Sequence, residues 1–100
     1  MPKVGDVYDD VCFYYGEFHS FYEVVKVSDT GKTVWLRPLD YYRSYGVDNW
    51  KTGKLPRPGK YVGDKVLRRK VHKDDVVIIR KYATARPMGE IHWVCDYNYS

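Results

Sequence analysis

The chain has 100 residues, of which 44% are hydrophobic and 30% charged, and this is the composition of a single globular domain. Fourteen valines and eleven tyrosines, against two alanines and no glutamine, favour strands over helices. No apolar run approaches the length of about 18 residues that a membrane-spanning helix needs. Residues 1–6 also lack the apolar segment of a secretory signal. We therefore expect one cytoplasmic domain that covers residues 1–100.

Charge is distributed unequally along the chain. Residues 1–50 carry a net charge of −3 and residues 51–100 carry +7, within a formal total of +4. Such a chain can present a separate basic surface, which would suit nucleic acid or an acidic protein. The alternative is that Lys and Arg simply cover the outer faces of a small β domain.

The clearest structural signal is a β-hairpin near the start of the chain. Residues 21–27 and 33–39 are rich in β-branched and aromatic side chains, and the connection between them contains Gly31, a natural position for positive φ. A shorter run of the same kind covers residues 11–15 and precedes the hairpin. Pro38 cannot donate a ladder hydrogen bond, so we expect the second strand to end there or to lie at an edge.

Further strand signals follow in the second half of the chain. Residues 65–71 and 76–82 predict a second hairpin, with turn chemistry at Asp74 and Asp75, and residues 91–95 predict a last strand. Five or six short strands without a helical period predict an all-β, mainly antiparallel fold, either a small SH3-like barrel or a strongly bent sheet. The side chains expected in its core are Val25, Val27, Val34, Leu36, Val66, Val77, Ile79 and Val94.

Residues 40–64 separate the two hairpins and show little periodicity, which predicts a long loop. Five aromatic and five basic side chains occur in it. A loop of this length is usually functional, and its rings must pack on the barrel as a lid or contact a partner. If the barrel covers Tyr41 and Tyr61, Tyr45 and Trp50 remain for binding. The expected partner-binding residues are Tyr42, Arg43, Tyr45, Trp50, Lys51, Lys54, Arg57, Arg68 and Lys70.

Catalytic motifs are missing from the sequence. It has neither a nucleophile elbow nor a phosphate-binding glycine loop nor a metalloprotease helix. The adjacent acids Asp9 and Asp10 would point to opposite faces of a strand and would not form an acid–base pair. We therefore expect a non-enzymatic protein with no catalytic residues and no cofactor.

Zinc binding is the alternative that the histidines and cysteines leave open. A zinc site needs about four ligands in tetrahedral geometry, and paired Cys-x-x-Cys knuckles are absent. His92 and Cys95 are three residues apart, so on a regular strand they would point to opposite faces. Only pairing of the first and last strands would bring the four candidates together, and we expect free thiols and no metal instead. These candidates are Cys12, His19, His92 and Cys95.

Several segments resemble a family of small proteins encoded by phages, plasmids and other bacterial mobile elements. The matching pieces occur in the same order over roughly residues 3–86, but residues 12–16 and the stretch after Arg86 depart from the family pattern. No activity and no functional residue therefore transfers to this chain. The matching pieces are residues 21–27, 31–34 and 36–38, Pro56-x-Pro58 through Asp64, residues 68–71, Ile79 and residues 82–85.

The resemblance implies a setting in a bacterial host cell. Small mobile-element proteins often bind and block a host machine, and anti-CRISPR proteins are one such class. We therefore expect an inhibitor that binds a protein or nucleoprotein defence complex in the bacterial cytoplasm. The alternative is a small β-barrel accessory protein of a phage or plasmid that binds DNA or RNA directly. The sequence does not specify the target or the oligomeric state.

Overall fold

Eight strands and a single 3₁₀ turn form the part of the chain that the computed structural model describes, residues 1–13, 16–45 and 51–98. All the strand pairings are antiparallel, which confirms the predicted fold class. No helix in these residues is long and apolar enough to cross a membrane. The strands are β1 (Val7–Phe13), β2 (Gly16–Val27), β3 (Thr33–Tyr45), β4 (Lys51–Tyr61), β5 (Leu67–Lys70), β6 (Val77–Arg80), β7 (Ala83–Pro87) and β8 (Val94–Asn98), with the 3₁₀ turn at Lys73–Asp75.

The sheet closes in two places. Strands β2, β3, β4 and β8 each pair with two of the others, so they form a closed four-stranded ring. The order β5-β3-β2-β1-β7-β6 forms a second, larger unit, which we call the curled sheet. Its two end strands meet through a bridge between Val71 and Val77. The β2–β3 hairpin belongs to both units, and the molecule measures 46 × 26 × 24 Å.

The first predicted hairpin is confirmed. Strands β2 and β3 pair from Tyr22–Pro38 to Val27–Val34, and Gly31 in the connection has a φ of 73°. The strand does not end at Pro38, however, but continues to Tyr45. Pro38 marks instead the point where β3 leaves β2, since Tyr22–Pro38 is the last pair between them.

The second predicted hairpin is not a regular one. Strand β5 pairs with β3 and β6 pairs with β7, so the two runs share no regular ladder. A bridge between Val71 and Val77 joins them, and the Arg69 guanidinium donates to the carbonyl of Ile79 at 3.0 and 3.2 Å. The turn chemistry is confirmed, because Asp74 and Asp75 both adopt positive φ, at 60° and 61°. The hydroxyl of Tyr8 donates to the carbonyl of Asp75 over 2.7 Å and holds this turn against the curled sheet.

The predicted loop at residues 40–64 is largely an antiparallel ribbon, formed by the end of β3 and the whole of β4. Lys51 to Lys54 also pair with β8, whereas the rest of β4 has β3 as its one partner. Pro56 and Pro58 fall in that second part, where a residue without an N–H can be accommodated at an edge. Because proline and glycine are depleted in strands, the sequence of residues 51–61 did not predict one.

Strand boundaries differ from prediction at both ends of the chain. Strand β1 begins at Val7 rather than at residue 11, and β8 covers Val94–Asn98 rather than residues 91–95. Strand β7 (Ala83–Pro87) was not predicted, because Ala, Arg and Pro are poor strand formers. Residues 14–15, the end of the predicted first run, lie outside the described residues.

The main core fills the curled sheet. Val34, Leu36, Val77 and Ile79 are buried there as predicted, and Tyr8, Tyr22, Val24, Leu67, Ala83 and Ala85 join them. A smaller cluster of Val7, Phe21 and Leu39 lies on the other side of β1 and β2, under the ribbon.

Four of the predicted core valines are placed differently. Val25 is only half-buried because Tyr22 and Val24 alternate into the core, and the register shift between Val24 and Lys26 leaves Val25 without a cross-strand partner. Val66 precedes β5 and is 48% exposed, so its assignment to the core was wrong. Val27 and Val94 are half-buried and pack at the margins of the two clusters.

Candidate functional site

A polar seam joins the ribbon to the curled sheet. The Lys54 ammonium lies 2.6 Å from a carboxylate oxygen of Asp96 and donates to the carbonyl of His19 over 2.9 Å. The other carboxylate oxygen of Asp96 accepts from the His19 backbone N–H at 2.8 Å. Lys54 is only 8% exposed, so this predicted binding residue belongs to the seam and not to a surface that a partner can reach.

The His19 imidazole extends the seam to β1. Its Nδ1 lies 2.9 Å from a carboxylate oxygen of Asp9, and its Nε2 lies 3.4 Å from Glu17. Burial lowers the pKa of His19, but the hydrogen bond to Asp9 and the charges of Asp9, Asp96 and Glu17 outweigh it, and the pKa is raised above 6.5. Protonated His19 is thus favoured where three carboxylates converge.

The smaller core cluster contacts the two tyrosines near the ends of the predicted loop, Tyr41 and Tyr61. Tyr41 meets Phe21 edge-on with ring centroids 6.0 Å apart. The Tyr61 hydroxyl donates to the buried carboxylate of Glu23, which also accepts from the Gly59 N–H over 3.0 Å. The fold therefore covers both rings, which is the condition under which Tyr45 and Trp50 were expected to remain for binding.

The outward side of the ribbon presents stacked aromatic and cationic groups. The Arg57 guanidinium lies 4.5 Å from the centroid of the Tyr42 ring, which is 54% exposed, and Asp40 holds the same guanidinium at 3.2 Å. Because these contacts fix the arginine over the ring, both groups are ordered before any partner arrives. We call this side the ribbon face, formed by Tyr42, Ser44, Lys51, Gly53, Arg57, Trp93 and Cys95.

A shallow groove of about 290 Å³ crosses the ribbon face between Ser44, Lys51, Gly53, Trp93 and Cys95. A side chain at Gly53 would place its Cβ 3.4 Å from Cε3 of Trp93 and 3.5 Å from Cβ of Ser44. These are ordinary van der Waals distances, so the floor of the groove has room for a methyl group but for little more. Trp93 remains 51% exposed at its edge.

The other predicted ribbon residues are oriented differently. Arg43 and Tyr45 leave β3 on the side opposite Tyr42, where the guanidinium donates to the Tyr41 hydroxyl at 2.5 Å and lies 5.9 Å from the Tyr45 ring centroid. Both are exposed near the ribbon tip. Trp50 lies outside the described residues.

Arg68 and Lys70 lie on a separate surface, the outward side of β5. Cross-strand pairing places Arg68 opposite Trp35 and Lys70 opposite Thr33. The Trp35 ring centroid is 5.7 Å from the Arg68 guanidinium and 4.6 Å from the ammonium of Lys26 on β2. We call this surface the sheet face, formed by Lys26, Thr33, Trp35, Arg37, Arg68 and Lys70.

The candidate zinc ligands are dispersed in the structure. Cys12 and Cys95 are free thiols, His19 is held in the seam, and the exposed His92 ring contacts the carbonyl of Glu90 at 2.7 Å. Val11, not Cys12, is the cross-strand partner of His19. In the ranges that the structure describes, no three His, Cys, Asp or Glu side chains are grouped so that they could hold a metal ion.

A buried carboxylate on β1, between β2 and β7, was not predicted. Asp10 is 1% exposed, and neither carboxylate oxygen has a hydrogen-bond partner among the described residues. Burial raises the pKa of Asp10, which the charge of Arg80 partly offsets. A cavity of about 550 Å³ opens beside Arg80 and is lined also by Cys12, Phe13, Lys81 and Tyr82. The one signal in the sequence was the adjacent pair Asp9-Asp10 within a strand, since alternation points one of two neighbouring side chains inward.

Sequence analysis also missed Lys26, Trp35 and Trp93 as surface residues. Lys26 and Trp35 lie in strongly predicted strands, where alternation predicts an outward side but not which neighbours share it. Trp93 follows the unpredicted β7 and comes to the ribbon only through the β4–β8 pairing.

Comparisons of the chain with protein-family models, with curated proteins and with solved structures found no match.

Proposed function

We propose that this protein is a non-enzymatic inhibitor, encoded by a phage or another mobile element, that binds a bacterial defence complex through the ribbon face in the manner of an anti-CRISPR protein. The observation that carries the proposal is the ordered Tyr42–Arg57 pair beside the Trp93 groove. Tyr, Trp and Arg are the residues that dominate the binding energy of protein interfaces. The sequence resemblance to mobile-element proteins supplies the biological setting.

The chemistry of the ribbon face favours a protein partner. Asp40 already neutralises Arg57, so the exposed rings contribute more to this face than unpaired charge does. A groove of about 290 Å³ is large enough to accept one side chain from a partner. Such an anchor, surrounded by groups that exclude water, is the usual form of an interface hot spot.

The test measures phage plating on bacteria that carry a CRISPR defence complex directed at that phage, with this protein expressed in the host. A panel of strains with different effector types covers the unknown target. Wild type is expected to restore plaque formation in at least one strain. Because a hot-spot residue contributes at least about 2 kcal/mol, Tyr42→Ala with Arg57→Ala should weaken binding to the purified effector at least about 30-fold and abolish the restoration.

The matched control is Tyr82→Ala with Arg86→Ala, which removes an exposed tyrosine and an exposed arginine from the β6–β7 turn and from β7, a strand that pairs with none of β3, β4 and β8. It should inhibit like wild type. No restoration in any strain would overturn the proposal, and so would an undiminished effect of the ribbon variant at equal abundance and Tm. Direct binding of nucleic acid is the second candidate, and a different surface favours it.

A further inference from the structure

The sheet face carries more unpaired positive charge than the ribbon face. Lys26, Arg68 and Lys70 are exposed, and none forms an ion pair within the described part of the chain. Arg37 is the exception, at 3.9 Å from the fully exposed carboxylate of Asp64. Arg37 is half-buried, donates to the Gly63 carbonyl over 2.8 Å and lies 4.1 Å from the Tyr61 ring centroid, so it is held at the edge of the face by contacts of its own.

Acidic side chains do not cancel this charge. Among residues 23–27, 33–37 and 67–70, which form the face, Glu23 is the one carboxylate. It is buried, and the Tyr61 hydroxyl and the Gly59 N–H both donate to it. The exposed part of the face is therefore basic, with the half-buried indole of Trp35 at its centre.

The spacing of these groups follows from strand geometry. Arg68 and Lys70 are two residues apart on one strand, about 7 Å. Lys26 and Arg68 lie two strands apart on either side of Trp35, about 10 Å. A row of cations that flanks an aromatic ring is the arrangement that binds single-stranded nucleic acid, since cations contact phosphates while a base stacks on the ring.

We propose that the sheet face binds a single strand of nucleic acid, with phosphates on Lys26, Arg68 and Lys70 and a base on Trp35. The Lys26 ammonium lies over the indole, 4.6 Å from its centroid, so it must move from the ring to a phosphate when the base stacks. A duplex would offer the same phosphates, but its bases are stacked on one another and cannot cover the indole. The site is distinct from the ribbon face, because Trp35 and Tyr42 leave β3 on opposite sides, roughly 20 Å apart along the strand.

The experiment measures fluorescence anisotropy of labelled oligothymidylate and oligouridylate of about 15 nucleotides, and of a duplex of the same length, at salt concentrations from about 0.05 to 0.2 M. At 0.1 M salt each phosphate contact to a single strand contributes about fivefold to affinity. Arg68→Ala with Lys70→Ala removes two such contacts and should therefore bind about 25-fold more weakly than wild type. The slope of log K against log salt should fall by about 1.4.

Two control variants distinguish binding at the sheet face from nonspecific attraction of nucleic acid to the positive charge of the protein. Lys81→Ala with Arg86→Ala removes one exposed Lys and one exposed Arg from β6–β7 and its turn, and should bind like wild type. Trp35→Leu should reduce the preference for single strands over duplex while the salt slope stays the same, because it removes stacking and no charge. The Tm of each variant confirms that it is folded.

Three outcomes would overturn the proposal: no binding to either single strand, equal loss in the two double variants, or equal affinity of wild type for duplex and single strand. The ribbon variant Tyr42→Ala with Arg57→Ala should keep full oligonucleotide affinity. The oligonucleotide experiment and the phage-plating experiment therefore test different surfaces, and either proposal can fail without the other.

Discussion

The curled sheet and the ribbon are stabilised by different interactions. Ten buried apolar side chains fill the sheet, whereas the ribbon rests on a three-residue cluster and on the seam of Lys54, Asp96, His19 and Asp9. Apolar burial tolerates changes of pH and salt, but a seam of charges depends on the ionisation and presence of every member. The ribbon should therefore be more sensitive than the curled sheet to pH, to salt and to the loss of one charged side chain, although both are built of strands.

The two outward faces also differ in the kind of side chain that dominates them. The sheet face combines three exposed cations with one indole, whereas the ribbon face combines exposed rings with an arginine that Asp40 neutralises. Unpaired cations attract polyanions at long range, whereas ordered rings contribute binding energy only at short range, once a partner has excluded water from them. A count of basic and aromatic residues does not distinguish these two kinds of surface.

The largest expected effect comes from breaking the seam. Lys54→Met leaves the Asp96 carboxylate buried without its cation, and removal of one partner from a buried pair costs about 3–5 kcal/mol. Urea unfolding measures the loss. Lys60→Ala, an exposed lysine on the same strand, is the control and should change stability by less than about 0.5 kcal/mol. Equal stability of both variants would show that the seam does not hold the ribbon.

The apolar core of the sheet offers the matching test. Ile79→Ala should lower the free energy of unfolding by about 2–5 kcal/mol, because Ile79 is buried in the main cluster. Val66→Ala removes a similar side chain that the structure places at the surface, and should cost less than about 0.5 kcal/mol. A larger loss at Val66 than at Ile79 would contradict the assigned strand faces.

The smallest expected effect is the pH dependence of the seam. Since the pKa of His19 is raised in the folded state, its stabilising contribution is complete below pH 6.5 and is lost as the pH rises through the raised value. Conversion of the charged hydrogen bond to Asp9 into a neutral one costs about 1 kcal/mol. The stability of wild type relative to His19→Gln should therefore fall by about that amount as the pH rises above 6.5. A constant difference would exclude protonated His19 from the seam.

Much of the fold could be predicted because the signals were local. Alternation in residues 21–27 and 33–39 predicted the β2–β3 hairpin, and Gly31 and Asp74-Asp75 predicted turns that positive φ confirms. The errors arose where tertiary pairing overrode local preference. Residues 40–64 are rich in proline and glycine, yet β3 and β8 supply the hydrogen bonds that make β4 a strand.

The candidate site was less predictable than the fold. Composition predicted binding residues of several types, of which Tyr42 and Arg57 lie together on the ribbon face. It could not separate Lys54, which the seam buries, or Arg68 and Lys70, which belong to a different face. The sign and position of a charge within the chain do not reveal which side chains will share a surface or meet a buried counter-ion.

The sequence by itself determined an antiparallel all-β domain with its hairpin and turns, because strand alternation and turn chemistry act over a few residues. Only the tertiary structure decided that the aromatic segment is a ribbon, that Lys54 and Asp96 form a buried pair, and that the basic residues divide between two faces. These features depend on strand pairing between residues more than 30 positions apart, such as Lys54 with Val94 and Trp35 with Arg68. Pairing at that range is set by which closed sheet buries the most apolar surface while it satisfies the backbone, and no local pattern encodes that choice.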